Sequence, residues 1–202
     1  MISSRIPAFR FLAPTAFALM TLVSACSNDT SLSARFTQSA TAQAPGLVKL
    51  VGAGTSGSIA RVHVVLFGPE PNLDLFGFRF GIGIGDPNLV RLIPESSYTQ
   101  TTLTAGGGQT ISVQVDDGSD PSLVKVTIAK QGGGAGNGIA AAATVVIELN
   151  FEVRGSGTTT LTLVGLGGNP PQALDSNNAP IGAVTFDAAS AGISGVMTGG
   201  GY

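Results

Sequence analysis

The side chains that could act as catalysts or metal ligands are few and widely separated in this sequence of 202 residues. It has one histidine, His63, and one cysteine, Cys26, too few for a zinc site built on these residues or for an internal disulfide. His63 lies in an extended apolar segment and is predicted to be a surface strand residue. No nucleophile with an orienting acid accompanies this histidine, so we expect neither catalysis nor a cofactor.

Two groups of acidic residues have spacings that resemble known sites. Asp116, Asp117 and Asp120 resemble part of a calcium loop, but the remaining EF-hand ligands are missing. A solvated turn is the favoured interpretation, and calcium binding there stays open. Glu148 and Glu152 share the polar face of a predicted strand, as a glycosidase pair could, but the sequence has no tryptophan to line a sugar cleft. We interpret them as a solvated face and predict no metal site.

The strongest structural pattern is the alternation of apolar and small residues over residues 76–84. Successive side chains of a strand point to opposite faces, so the apolar set forms one core face. The opposite face holds only glycines and Arg79, and we expect this stripped face to be available to a partner. The strand ends at a turn that contains Asp86 and Pro87. The core set is Phe76, Phe78, Phe80, Ile82 and Ile84, and the glycines are Gly77, Gly81 and Gly83.

Several other short segments alternate in the same way, including residues 59–67, whose apolar face is Ala60, Val62, Val64 and Leu66. Turn signals recur about every 8–12 residues, which is typical of an all-β sandwich or barrel. Glycine is abundant at 29 residues and charge is low at 11%, as expected for such a domain. We place the domain at residues 46–197 and expect residues 198–202 to be a disordered tail. The formal net charge is −2 and no basic run occurs, which excludes a nucleic-acid interface.

The N-terminus has the layout of a secretory signal peptide over residues 1–25. Two arginines precede a mostly apolar run from Phe11 to Val23, and small residues follow. The segment from Leu22 to Cys26 resembles a bacterial lipoprotein signal, which implies that Cys26 becomes the first mature residue and carries the lipid. The alternative is an ordinary signal peptide cut near Ala25, with Cys26 as a free thiol.

Residues 26–45 have no sustained periodicity and are rich in Ser, Thr, Ala and Gln, which predicts a flexible tether. At roughly 5–6 Å × √n, such a tether holds the domain on the order of 25 Å from the bilayer. The lipoprotein resemblance implies a location in the bacterial cell envelope, at the outer membrane or the cell surface, with the domain outside the cytoplasm. Which membrane or leaflet carries the protein stays open.

The order of short motifs over residues 46–196 resembles a cohesin-like domain. The sequence departs from the family's pattern at Gly85, where an aromatic residue is usual, and its apolar alternation is one residue out of phase with Asp86. That shift implies a bulge or insertion near Ile84. The motifs are Gly77-Phe78, Asp86-Pro87, Gly136-Asn137-Gly138-Ile139, Phe151-Glu152-Val153, Gly157-Thr158-Thr159, Asp175 to Asn178 and Val184-Thr185-Phe186.

This resemblance implies a jelly-roll β-sandwich of about nine antiparallel strands that binds dockerins, the modules that assemble extracellular and often polysaccharide-degrading complexes. Asp86 matches the family's turn aspartate beside the dockerin-binding face, and Arg79 on the stripped face is a second candidate for partner contact. The alternative for Asp86 is a side chain that forms the turn by bonding its own backbone.

The sequence therefore favours a non-catalytic, lipid-anchored binding module of cohesin type. Two other hypotheses remain open: a carbohydrate-binding module that takes a polysaccharide, and a structural surface lipoprotein without a specific ligand. Sugar rings usually stack on exposed aromatic side chains, and most phenylalanines of this domain fall at predicted core positions.

Overall fold

The computed structural model describes residues 31–93, 103, 109–116 and 119–198. Within those ranges the chain forms strands, turns and loops, and it contains no helix long and apolar enough to span a membrane. The predicted signal peptide, the lipidation site Cys26 and the last four residues of the predicted tail lie outside the described residues.

The strands follow one another closely along the chain. Strands β1 to β7 are Ser31–Thr37, Leu47–Ser56, Ile59–Phe67, Glu70–Leu75, Gly77–Ile84, Val90–Leu92 and Thr110–Asp116. Strands β8 to β14 are Leu123–Gln131, Asn137–Ile139, Ala143–Val153, Gly157–Val164, Gln172–Leu174, Thr185–Phe186 and Ala191–Thr198.

Two sheets pack face to face around the core. The seven-stranded sheet has the order β1-β14-β11-β5-β8-β7, with β12 beside the first residues of β5, and the five-stranded sheet has the order β13-β2-β3-β10-β6. Strands β4 and β9 form a separate small pair. This arrangement confirms the predicted all-β jelly-roll sandwich. It has fourteen strands in the described residues rather than about nine, and β13 pairs with β2 in parallel.

The core is built on the predicted alternation of β5. Phe78, Phe80 and Ile82 have no exposed surface, and the Phe80 ring lies 6.0 Å from that of Phe186 on the other sheet. Phe76 is half-buried, because β5 begins one residue later at Gly77. The predicted apolar face of β3 is also confirmed, since all four of its members are fully buried.

Residues 31–37 are a strand, which corrects the prediction that residues 26–45 form a flexible tether. Strand β1 pairs with β14 along its whole length, from Ser31 opposite Thr198 to Thr37 opposite Gly192. The short segment SLSARFT does alternate, and its apolar side chains Leu32, Ala34 and Phe36 pack against the core. The strand was not predicted because its small residues, and its position after a predicted signal peptide, are typical of a linker. Thr198, placed in the predicted tail, is the last residue of β14.

The chain between β1 and β2 is fixed by a buried polar cluster, which we call the Asp187 cluster. Asp187 and Lys49 are 5% and 3% exposed. The hydroxyls of Ser39 and Thr41 donate to the Asp187 carboxylate at 2.5 and 2.8 Å, and the Ala189 amide donates to it at 3.0 Å. The Lys49 ammonium donates to the carbonyls of Ser39, at 3.0 Å, and Thr41.

The Asp187 cluster keeps its carboxylate ionised. Burial alone raises the pKa of Asp187, but the hydrogen bonds from Ser39, Thr41 and Ala189 outweigh that effect together with the charge of Lys49. The pKa of Asp187 therefore lies below its ordinary value. Residues that the sequence assigns to a tether thus supply the bonds that make a buried charge tolerable.

The packing of β1 predicts a measurable loss of stability when Phe36 is shortened. We expect Phe36→Ala to lower the free energy of unfolding by about 2 kcal/mol, roughly half the cost of truncating a fully buried phenylalanine. Thr37→Ala, on the exposed face of the same strand, should stay within about 0.5 kcal/mol of the wild type. Urea unfolding measures both. Equal, negligible effects would restore the tether interpretation.

The Asp187 cluster predicts a pH-dependent contribution to stability. Because the pKa of Asp187 is lower in the folded chain, its contribution is complete above the ordinary aspartate value of about 3.9 and is lost as pH falls through the folded value. We expect Asp187→Asn to cost about 1–3 kcal/mol at pH 7, with the difference from wild type shrinking below about pH 4. Urea titrations at several pH values measure this difference, with the exposed Asp116→Asn as control. A deficit independent of pH contradicts the assignment.

Candidate functional site

We call the solvent side of the seven-stranded sheet the outer face. Strand alternation places mostly polar side chains on it, with threonine predominating on β11. Residues on adjacent strands are in register, so the face is a regular array rather than a cleft. Its central members are Thr158, Thr160, Thr162 and Val164 of β11, Arg79 of β5, Leu123, Lys125 and Thr127 of β8, and Gln114 and Asp116 of β7.

Arg79 is the exposed charged residue of β5, as the alternation predicts. It pairs in register with Gln172 of β12 on one side and Thr127 of β8 on the other. Two shallow hollows of about 530 and 330 Å³ flank it, and its side chain lines both. The guanidinium carries five donors in a rigid planar fork, so it can bind carboxylate or carbonyl groups that enter either hollow.

The glycines of β5 do not leave the outer face bare, which corrects the prediction of a stripped face. A Cβ atom at Gly81 would lie 2.8 Å from Leu123, and 3.0 Å from both Leu166 and Val164. Side chains of neighbouring strands and loops therefore close over β5 and form a low apolar ridge beside Arg79. Gly77 is likewise buried against the Ile128 carbonyl. The local pattern could not show this, because the covering side chains come from distant segments.

Asp86 is exposed and forms the turn after β5. Its carboxylate accepts the Asn88 amide at 2.9 Å, and its own amide donates to the Thr159 hydroxyl at 2.6 Å. Its carbonyl accepts the amides of Leu89 and Val90, both at 3.2 Å. The side chain therefore has the turn-forming role that the sequence left as the alternative. A role of Asp86 in partner contact stays a prediction.

The two predicted contact residues are not brought together. Arg79 lies towards the start of β5 and Asp86 beyond its end, so seven residue steps of extended chain separate them by up to about 23 Å. The Asp86 turn borders a different hollow of about 410 Å³, which Arg91 and Arg154 also line. A small ligand in one hollow cannot contact both residues.

The described aspartates whose spacing resembles a calcium loop already have hydrogen-bond or ion-pair partners. The amide and hydroxyl of Ser122 donate to Asp120 at 2.9 and 2.6 Å and hold the pKa of that carboxyl below its ordinary value. Asp116 pairs with Lys125 at 3.4 Å, while Asp117 lies outside the described residues. In the described ranges no three His, Cys, Asp or Glu side chains lie together in a group that could hold a metal ion.

The sequence did not reveal the pairing of His63 with Glu148 on the five-stranded sheet. These residues lie opposite one another on β3 and β10, and Nε2 of His63 is 2.6 Å from Oε2 of Glu148. Glu152 instead pairs with Arg154 at 3.1 Å. The two glutamates that resemble a glycosidase pair thus have separate partners. No local pattern could predict the histidine pair, since 85 residues separate its members.

Comparison with known proteins identifies the fold. No family model matches the sequence, and no curated protein matches it either. A type II cohesin domain from the cellulosome of Acetivibrio cellulolyticus matches the structure with a TM-score of 0.51 at 13% identity, covering 73% of this chain and 95% of that one. The domain therefore has a cohesin-like fold, which confirms the resemblance found in the motif order.

Two further matches come from the ScaA adaptor scaffoldin of the same organism. Its type II cohesin dyad gives a TM-score of 0.48 at 14% identity, covering 70% of this chain and 45% of that one. Its second type II cohesin module gives 0.46 at 10% identity, covering 81% and 95%.

The contacts of the two candidate residues predict a loss of stability when Asp86 is truncated and almost none when Arg79 is replaced. We expect Asp86→Ala to lower the free energy of unfolding by about 0.5–1.5 kcal/mol, because the bond to the Asn88 amide is lost. Asp86→Asn keeps an acceptor and should stay close to the wild type. Arg79→Glu, at an exposed side chain, should change stability by less than about 0.5 kcal/mol. Urea unfolding of the three variants checks this ranking, and a neutral Asp86→Ala would show that the turn does not need its side chain.

Proposed function

We propose that this protein is a non-catalytic binding module that holds a protein partner on its outer face. The observation that carries the proposal is the position of Arg79, exposed between two hollows on a broad regular face of a cohesin-like fold. The cohesin-like fold alone does not establish a binding function, because one fold hosts many functions. The dimensions and the chemistry of the outer face support the proposal separately.

The dimensions of the outer face favour a macromolecule over a small ligand. Its hollows are shallow and separate, and the candidate residues are up to about 23 Å apart. A standard protein interface buries about 800 Å² on each partner, a patch roughly 28 Å across. One docked protein can therefore cover Arg79 and approach the Asp86 turn at the same time.

The chemistry of the outer face also resembles a protein interface. Leu123, Val164 and Leu166 form the apolar ridge, and Arg79 and Lys125 stand beside it with the hydroxyls of β11. Interfaces commonly combine an apolar centre with a polar rim, and arginine is enriched among their most important contacts. We infer that Arg79 is the anchor and that the partner offers it a carboxylate or carbonyl groups.

The cohesin-like fold points to a dockerin-like polypeptide as the partner. One similar structure is a type II cohesin domain from a cellulosome. A link between this protein and polysaccharide degradation is part of the proposal on that basis. As for direct sugar binding, the seven phenylalanines in the described residues are buried or half-buried, where they serve the core and its margin.

Lipid anchoring through Cys26 completes the proposed function. Its support is the signal-like N-terminus, in which the single cysteine of the chain follows Leu22-Val23-Ser24-Ala25. Each buried methylene of an acyl chain contributes roughly 0.8 kcal/mol, so a multiply acylated Cys26 anchors the domain stably at the cell envelope.

Capture of a partner tests the outer face. We expect the immobilised chain from Cys26 to Tyr202 to retain a dockerin-like protein from the envelope and secreted fraction of the producing organism. Arg79→Glu should weaken that protein's affinity at least about tenfold, because it reverses a central charge of the interface. Isothermal titration calorimetry with the purified partner measures the change.

The matched control is Arg61→Glu, which makes the same charge reversal at an exposed arginine of β3 on the other sheet. Affinity unchanged by Arg61→Glu and lost with Arg79→Glu supports the outer face. Equal losses in both variants, or a loss in Arg61→Glu alone, contradict it.

Lipid anchoring has its own prediction. The precursor expressed in a bacterium should yield a mature protein whose N-terminal peptide begins at acylated Cys26 and which partitions into detergent. Cys26→Ser should remain unacylated and stay in the aqueous phase. Mass spectrometry of the N-terminal peptide distinguishes an acylated Cys26 from a free thiol. A mature chain with a free Cys26 thiol would indicate an ordinary signal peptide and contradict the proposed anchoring.

A further inference from the structure

The first and last described residues of the domain meet at one corner. Ser31 is opposite Thr198, Leu32 is opposite Met197, and Ser33 is opposite Val196. We call Leu32, Val196 and Met197 the terminal corner; Leu32 and Met197 lie on the core side of the sheet and Val196 on its outer side. The start of β1 and the end of β14 therefore lie at the same end of the seven-stranded sheet.

The terminal corner exposes apolar surface. Val196 and Met197 are 41% and 50% exposed, and they are the large apolar side chains that stand out in solvent among the described residues. Leu32, opposite Met197, is half-buried because its side chain packs against the core. Arg35 is the single charged residue of β1 and β14, and neither strand has an acid to repel an anionic surface.

The length of chain before β1 brings this corner close to Cys26. Five residue steps join Cys26 to Ser31, so they span at most about 18 Å whatever their conformation. The predicted tether of residues 26–45 would have allowed the domain to move freely on the order of 25 Å from the lipid. With β1 and the Asp187 cluster in place, most of that length belongs to the folded domain.

We propose that the terminal corner meets the bilayer surface end-on, with Met197 and Val196, on the two sides of the end of the sheet, in contact with lipid. The inference rests on the proposed lipid anchoring of Cys26, and it adds the surface of the domain that meets the membrane. Binding at the boundary between headgroups and acyl chains strengthens with the apolar area that is buried there.

Contact between the terminal corner and the bilayer also determines how the outer face is oriented relative to the membrane. The registers of β14, β11 and β5 place Arg79 about a dozen residue steps from Ser31 along the strand direction, up to about 40 Å away. Arg79 and its hollows then point away from the membrane, where a large partner can reach them. The Asp86 turn lies nearer to the membrane.

Single-tryptophan probes test this contact, because the chain has no tryptophan of its own. Met197→Trp places the probe at the terminal corner, and Asn177→Trp places a matched probe at an exposed position near the Arg79 end. The chain from Cys26 to Tyr202 is coupled through its Cys26 thiol to a maleimide-headgroup lipid. The vesicles contain phosphatidylethanolamine and phosphatidylglycerol with or without brominated acyl chains.

We expect the Met197→Trp probe to lose at least about half of its emission on brominated vesicles, since bromine quenches only tryptophans in contact with the acyl region. The Asn177→Trp probe should keep its emission. Absence of quenching at both positions overturns the proposal, and so does equal quenching at both. A Met197→Trp probe that is already shielded before coupling to vesicles also overturns it, because the corner is then covered by protein.

Chemical coupling keeps this test separate from natural lipidation. If the bacterial protein carries no acyl chain, the anchoring proposal fails while the quenching result still reports on the corner. If Cys26 is acylated but the Met197→Trp probe stays unquenched, the anchor stands and the contact proposed for the corner is wrong.

Discussion

Burial of the apolar face of β5 is the constraint on which the rest of the structure depends. Phe78, Phe80 and Ile82 lose all contact with water, and each such side chain contributes roughly 1.5–3 kcal/mol. Their sum approaches the whole net stability of a typical domain, about 5–15 kcal/mol. Because β5 pairs with β8, β11 and β12, fixing its register also fixes the strands that carry the outer face. The position of Arg79 follows directly from that register.

A second constraint acts at the N-terminus, where a segment with the composition of a linker becomes part of the fold. Strand β1 extends the seven-stranded sheet, and the Asp187 cluster holds the chain that crosses to β2. A buried carboxylate is costly unless hydrogen bonds satisfy it, so the cluster and the crossing segment stabilise each other.

Local patterns in the sequence were sufficient to predict the buried faces of strands and the class of fold. The alternation in β3 and β5 identifies their buried faces correctly, and the motif order identifies the cohesin-like sandwich. Contacts between distant segments could not be predicted from local patterns. Strand β1 pairs with β14, more than 150 residues away, and the Ser39 hydroxyl donates to Asp187 across 148 residues. The outer face shows the same limit. The glycines of β5 are visible in the sequence, but the side chains that cover Gly81 come from β8, β11 and the following loop.

The central claim is that a protein partner binds the outer face around Arg79. Nuclear magnetic resonance of the isotopically labelled chain, titrated with the captured partner, tests it most directly. The account predicts that the largest chemical-shift changes occur at Arg79, Thr127 and Gln114, which lie in one row across β5, β8 and β7. Changes centred instead on Arg61, His63 and Glu148 would place the partner on the five-stranded sheet and contradict the account.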